Sequence, residues 1–181
     1  MKILSSLFIA LSLVCPLNAH AVSIVLRGEQ SLPVAVTAAI AAENEIRTTD
    51  VHPVPLGALS WKGGVIGGVV FEDSIPNCAI YSYQRGLLIS AFAGAPCTFR
   101  GAPKMMDDRK GPVPDVVFEL EVFLPNRGAM VNHVVAFYYD AQKGAFCESE
   151  SLADWYQSGN RNLSPDLQDG RCAIGVNAVS G

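Results

Sequence analysis

The alternation of apolar and polar positions is sharpest between residues 116 and 147. Phe118, Leu120, Val122 and Leu124 alternate with Glu119 and Glu121, the period-two pattern of a strand that buries one face. Pro125-Asn126-Arg127-Gly128 reads as a turn, Met130 to Tyr139 as the return strand, Asp140 to Gly144 as a second turn, and Ala145 to Cys147 as the start of a third strand. The stretch is therefore predicted to be an antiparallel meander. If Leu124 pairs with Ala129 across the first turn, His133 lies opposite Leu120 on the apolar face; a slip of one residue would set it across from Glu121.

Weaker patterns flank this stretch. Val22 to Leu26 is short and β-branched and predicts a first strand, followed by a turn at Arg27-Gly28. Ser31-Leu32-Pro33 marks the start of a helix, with Ser31 as cap and Pro33 in the first turn; Leu32, Val36, Ala39, Ile40 and Ile46 then recur near the helical period. Thr48 to Leu59, with Pro53 and Pro55, reads as an extended connector. Val65 to Phe71 reads as a strand carrying a glycine pair, and Ile80 to Phe92 as a hairpin closed at Arg85-Gly86 with Gln84 opposite Leu87. That register sets Cys78 across from residue 93. Gly101 to Pro114, rich in glycine, proline and charge, is expected to be a long surface loop. Ser151-Leu152-Ala153-Asp154 resembles a capping box and opens a short helix carrying Trp155 and Tyr156, stopped near Gly159. A closing strand is expected over Ala173 to Val179. The fold class that follows is α+β: an antiparallel sheet of about six or seven strands with one N-terminal helix and one short helix.

Composition narrows the setting. Of 181 residues, 50% are hydrophobic and 17% charged, a balance that a disordered chain does not have. Thirteen Lys and Arg against 17 Asp and Glu leave no cationic surplus for phosphates, so a nucleic-acid partner is not expected. Part of the apolar excess sits in residues 1–21. Lys2, the apolar run Ile3 to Val14, Pro16 and the small residues Ala19 and Ala21 form the pattern of a secretory signal cleaved after Ala21. Residues 22–181 are then expected to form a single domain with no membrane span.

Cleavage would also remove Cys15 and leave four cysteines, an even count suited to disulfides in an oxidising compartment. Of the three pairings four cysteines allow, proximity along the chain favours Cys78 with Cys97 and Cys147 with Cys172.

The candidate chemistry is sparse. Glu119 and Glu121 share a strand face roughly 6 to 7 Å apart, a spacing that paired carboxylates use in glycoside hydrolysis. His133 would join them only in the slipped register. Asp50 and His52 lack further ligands for a metal, and Met105-Met106 suits an apolar contact under the loop. Asp107-Asp108 lacks the spacing of a calcium loop, and Asp140 with Gly144 reads as an Asx turn. Asn162-Leu163-Ser164 matches a glycosylation sequon. No cofactor or metal is expected.

These residues point first to an exported, non-catalytic binding protein, of the inhibitor or immunity type, with a protein partner in the export compartment. Its expected contact surface is the charged loop: Lys104, Asp107, Asp108, Arg109 and Lys110. The rival expectation is a small exported hydrolase using Glu119, Glu121 and His133, and a third is a surface-assembly subunit.

Overall fold

A computed structural model describes residues 24–72, 77–94, 96–159 and 164–172. The signal segment, Asn162 and Leu163 of the sequon, and the closing strand expected over 173–179 lie outside these residues. Among the described residues the fold is α+β, with two helices and antiparallel strands in two sheets.

The first sheet has the order β1 (Arg27–Glu29), β2 (Val51–Trp61), β3 (Gly64–Phe71), β4 (Asn77–Gln84), β5 (Leu87–Gly94). The second runs β11 (Arg171–Cys172), β10 (Ala145–Glu148), β9 (Ala129–Asp140), β8 (Asp115–Leu124), β6 (Cys97–Phe99), with β7 (Lys104–Met106) also paired to β8. Strand alternation then sorts the side chains into layers. Leu59, Trp61, Ile66 and Ile80 from the first sheet meet Val116, Phe118, Leu120, Val135, Phe137 and Phe146 from the second in the principal core. On the opposite face of the first sheet, α1 (Val34–Glu43) lays Val36, Ile40 and Ala41 over Val65, Val69, Ala79 and Tyr81. On the far face of the second, α2 (Glu150–Ser158) sets Leu152 and Ala153 over Val117, Ala136 and Tyr138. Each sheet thus has one helix on its outer face.

The glycine pair of β3 serves both layers. A Cβ on Gly67 would come within 2.6 Å of Leu32, and one on Gly68 within 2.5 Å of the Phe99 ring. Only glycine leaves room for both close approaches.

Three groups of contacts tie the sheets together. The Cys78–Cys97 disulfide joins β4 to β6 at one corner, whereas Cys147–Cys172 links neighbouring strands of the second sheet. Gln84, only 2% exposed, bonds both backbone groups of Phe146: its Nε2 donates to the carbonyl at 2.7 Å, and its Oε1 accepts the N–H at 2.8 Å. Arg85 and Arg171 reach across to the carbonyls of Gly144 and Ala91. Both disulfides are the expected pairs and are compatible with an exported protein.

Several boundaries depart from expectation. The segment 48–59 contains a one-turn 3₁₀ helix at Thr48–Asp50 and most of β2. Its prolines are accommodated because the ladder breaks between Pro53 and Ala58, where a bulge carries Pro55 out of register. The bulge also restores facing: Val51 and Ala58 are seven residues apart yet both lie under α1, because only four residues separate their partners Phe71 and Gly67. β1 begins at Arg27, within the expected turn, since that is where it meets Ala58 to Ser60.

Pro33, not Ser31, is the N-cap of α1; its extended backbone leads into the helix, and its carbonyl accepts from Val36 and Thr37. Ser149, not Ser151, caps α2. Its Oγ accepts from the Leu152 N–H at 3.1 Å, while Asp169 accepts from the Ser149 hydroxyl and the Ser151 N–H. Gly159 ends α2 in the left-handed conformation, as its position predicts. In the hairpin Gln84 faces Leu87 as expected, but Cys78 faces Gly94, because a bulge between Ile80 and Tyr81 inserts one residue on β5.

Candidate functional site

The meander adopts the first of the two registers: Leu124 faces Ala129 and Leu120 faces His133. Glu119 and Glu121 therefore leave β8 on the side of α2, and the His133 ring leaves β9 toward the principal core. Each carboxylate has a cation. Lys104 Nζ donates to Glu119 Oε1 at 2.6 Å, and Arg100 lies 3.9 Å from Glu121 while donating to Asn132 Oδ1 at 2.7 Å. Both pairs are solvent-exposed, so their Coulomb attraction is largely screened.

His133 is half-buried and rests against Phe92, ring centroids 4.9 Å apart. Burial lowers its pKa and outweighs the opposing pull of Asp154 and Glu148, which favours the uncharged imidazole. Glu119 and His133 nevertheless line one cavity of about 200 Å³ with Arg100, Asn132 and Tyr156, and Glu121 is not among its lining residues.

The charged loop is more ordered than its composition suggests. β7 joins it to β8, with Met106 opposite Asp115, so residues 107–114 form the connection of a hairpin. Val113 is buried in the principal core. Arg109 turns back onto Asp115, which is only 1% exposed, with Nε 2.6 Å from Oδ2 and Nη2 on Oδ1. The Tyr156 hydroxyl donates to the same carboxylate at 2.9 Å, and the guanidinium lies 5.8 Å from the centre of the Tyr138 ring. Burial, followed by the bond to anionic Asp115, pushes the Tyr156 phenol well above its ordinary pKa; the same carboxylate raises that of Arg109.

Arg109, Asp115 and Tyr156, with the Tyr138 ring beside them, form a clamp that sequence reading missed. The available signal was a lone acid after Pro114, directly before the apolar triplet Val116-Val117-Phe118, where an uncompensated charge would be costly. Of the five expected contact residues, Lys104 and Arg109 are held by this frame, while Asp107, Asp108 and Lys110 are exposed. The Lys110 N–H donates to the Asp107 carbonyl at 3.0 Å, and Lys110 holds a positive φ of 53°.

The remaining candidates resolve into local structure. Asp50 binds Arg47 at 2.8 Å, and His52 lies 3.4 Å from Glu72. Asp140 Oδ1 accepts from the N–H groups of Gln142 and Lys143, the expected Asx turn, and Gly144 follows at a φ of 61°. Asp140, Cys147 and Cys172 place ligand atoms within 4.8 Å of one another, but both sulfurs belong to a disulfide and Lys143 Nζ sits 3.3 Å from Cys172 Sγ. Among the described residues no helix is long and apolar enough to cross a membrane. No protein-family model, curated protein or solved structure matches the chain.

Proposed function

We propose that this chain is an exported, non-catalytic binding protein, of the inhibitor or immunity type, that engages a protein partner through the turn at residues 107–110. One observation carries the reading: the exposed charges of Asp107, Asp108 and Lys110 stand on a base fixed at both sides. Lys104 and β7 secure the approach, and the Arg109–Asp115–Tyr156 clamp with buried Val113 secures the return. A pre-ordered turn loses little conformational entropy on docking, so more of the contact energy remains as affinity. Mixed charge on such a turn selects a partner by complementarity and steers encounter. The two disulfides and the apolar segment 3–14 support export.

The clamp dictates the test. Replacing all five loop charges would dismantle the base together with the surface, so the informative variant is Asp107→Ala, Asp108→Ala, Lys110→Ala, with Lys104 and Arg109 intact. Immobilised wild type is expected to retain a discrete protein from the exporting cell's periplasm or medium, and the triple variant to retain at least about tenfold less. Equal capture by a variant with unchanged circular dichroism would refute the role of the turn.

A further inference from the structure

A second surface lies where β9 outruns its neighbour. β10 ends opposite Phe137, and the chain then turns into α2, so the edge of β9 before that point opens into a cleft of about 310 Å³ between β5, α2 and β11. No residue of the 107–110 turn lines it.

The groups facing this cleft include two carboxylates, an imidazole and an unladdered stretch of backbone. On β8 the Glu119 carbonyl accepts from Arg100, so Glu119 directs its backbone away from β9, and its partner Val134 directs its own N–H and C=O outward. The carbonyls on either side are taken: Ala136 accepts from the Ser149 N–H at 3.1 Å, and Asn132 from Gln157 Nε2 at 3.2 Å. Val134, between them, lines the cleft. The His133 imidazole also lines it and makes no hydrogen bond with a described residue. Phe92 supplies a flat apolar wall beside that ring.

Charge completes the pattern. Glu148, 6% exposed, is satisfied by Arg171 at 2.7 Å, and Arg171 also donates to the Ala91 carbonyl. Glu150 and Asp154 are different: they stand one helical turn apart on α2, line the same cleft, and neither forms an ion pair with a described residue. Like charges at this spacing disfavour a helix, and moving either off the cleft would relieve the repulsion.

We propose that this cleft binds a guanidinium group. A planar cation suits the site because it can lie flat beside the stacked Phe92 and His133 rings while its N–H fork reaches the Glu150 and Asp154 carboxylates and the Val134 carbonyl. An ammonium has no flat face to set against the ring and holds its hydration more strongly. An anion would meet the Glu150 and Asp154 carboxylates, and the cation already in the cleft, Arg171, is held by Glu148. The group belongs either to a free guanidino compound or to an arginine side chain of a protein.

The test uses the full, disulfide-bonded protein with isotope-labelled histidine, read by NMR, with His52, which lines a different pocket, as internal control. N-acetylarginine methylamide and agmatine are titrated in parallel, with N-acetylcitrulline methylamide as the uncharged isostere. Saturable shifts of the His133 ring, with His52 still, are expected for a guanidinium probe. Affinity should fall about tenfold or more for the citrulline probe and for the Glu150→Gln, Asp154→Asn variant, whose changes are on the surface and spare the core. Tighter binding of the blocked arginine assigns the site to a protein side chain; tighter binding of agmatine assigns it to a free ligand. No saturable shift with either probe, or equal binding of the citrulline probe, overturns the proposal. Loss of capture by the turn variant alone would bear only on the partner surface.

Discussion

Substituting Asp115 by asparagine isolates the buried clamp from everything else in the fold. The side chains have nearly the same shape, so packing is preserved, but the charge that holds Arg109 is gone and one of its acceptor oxygens becomes a donor. Arg109 keeps 19% of its side-chain surface, so water recovers part of its solvation, while the carboxylate position at 1% exposure recovers none. Breaking a buried pair by removing one partner costs about 3 to 5 kcal/mol, and the partial exposure of Arg109 places the expected loss near the lower end, about 3 kcal/mol. For a domain whose whole stability is about 5 to 15 kcal/mol, that is a large fraction. In urea, with a slope of about 1 to 3 kcal/mol per molar, the midpoint should fall by about 1 to 3 M. The double variant Asp115→Asn, Arg109→Met should recover part of that loss, since no unpaired guanidinium remains. A midpoint for Asp115→Asn within about 0.3 M of wild type at unchanged slope would refute the clamp as a stabilising element.

Two further outcomes follow from buried polar groups. Gln84→Leu leaves both backbone groups of Phe146 without partners between the sheets and should destabilise by about 2 to 4 kcal/mol, measured by thermal or urea unfolding. Because the Tyr156 phenol has a raised pKa in the folded protein, the stability it contributes is complete below its unfolded pKa of about 10 and declines as pH rises beyond that. Unfolding midpoints between pH 9 and 11 should therefore fall more steeply for wild type than for Tyr156→Phe; parallel curves would remove Tyr156 from the clamp.

What the sequence by itself determined is local. The register of the meander followed from two apolar alternations that had to share a face and from a turn of stated length. The 84–87 hairpin followed from Arg85-Gly86, and both disulfides from chain proximity. Period, turn chemistry and loop closure act over a few residues, so they can be read without knowing what lies across the core. Tertiary structure decided the rest. β2 hid behind Pro53 and Pro55, because a bulge that restores facing is defined only by the partner strand. The division into two sheets, and the role of Gln84 between them, depended on which apolar faces met. Arg109, Asp115 and Tyr156 come from a loop, a strand and a helix, and only their convergence on the buried carboxylate makes them a clamp. His133 shows both sides: its strand position was legible, but its cleft exists because β10 ends one residue before α2 is capped, which no pattern within β9 records.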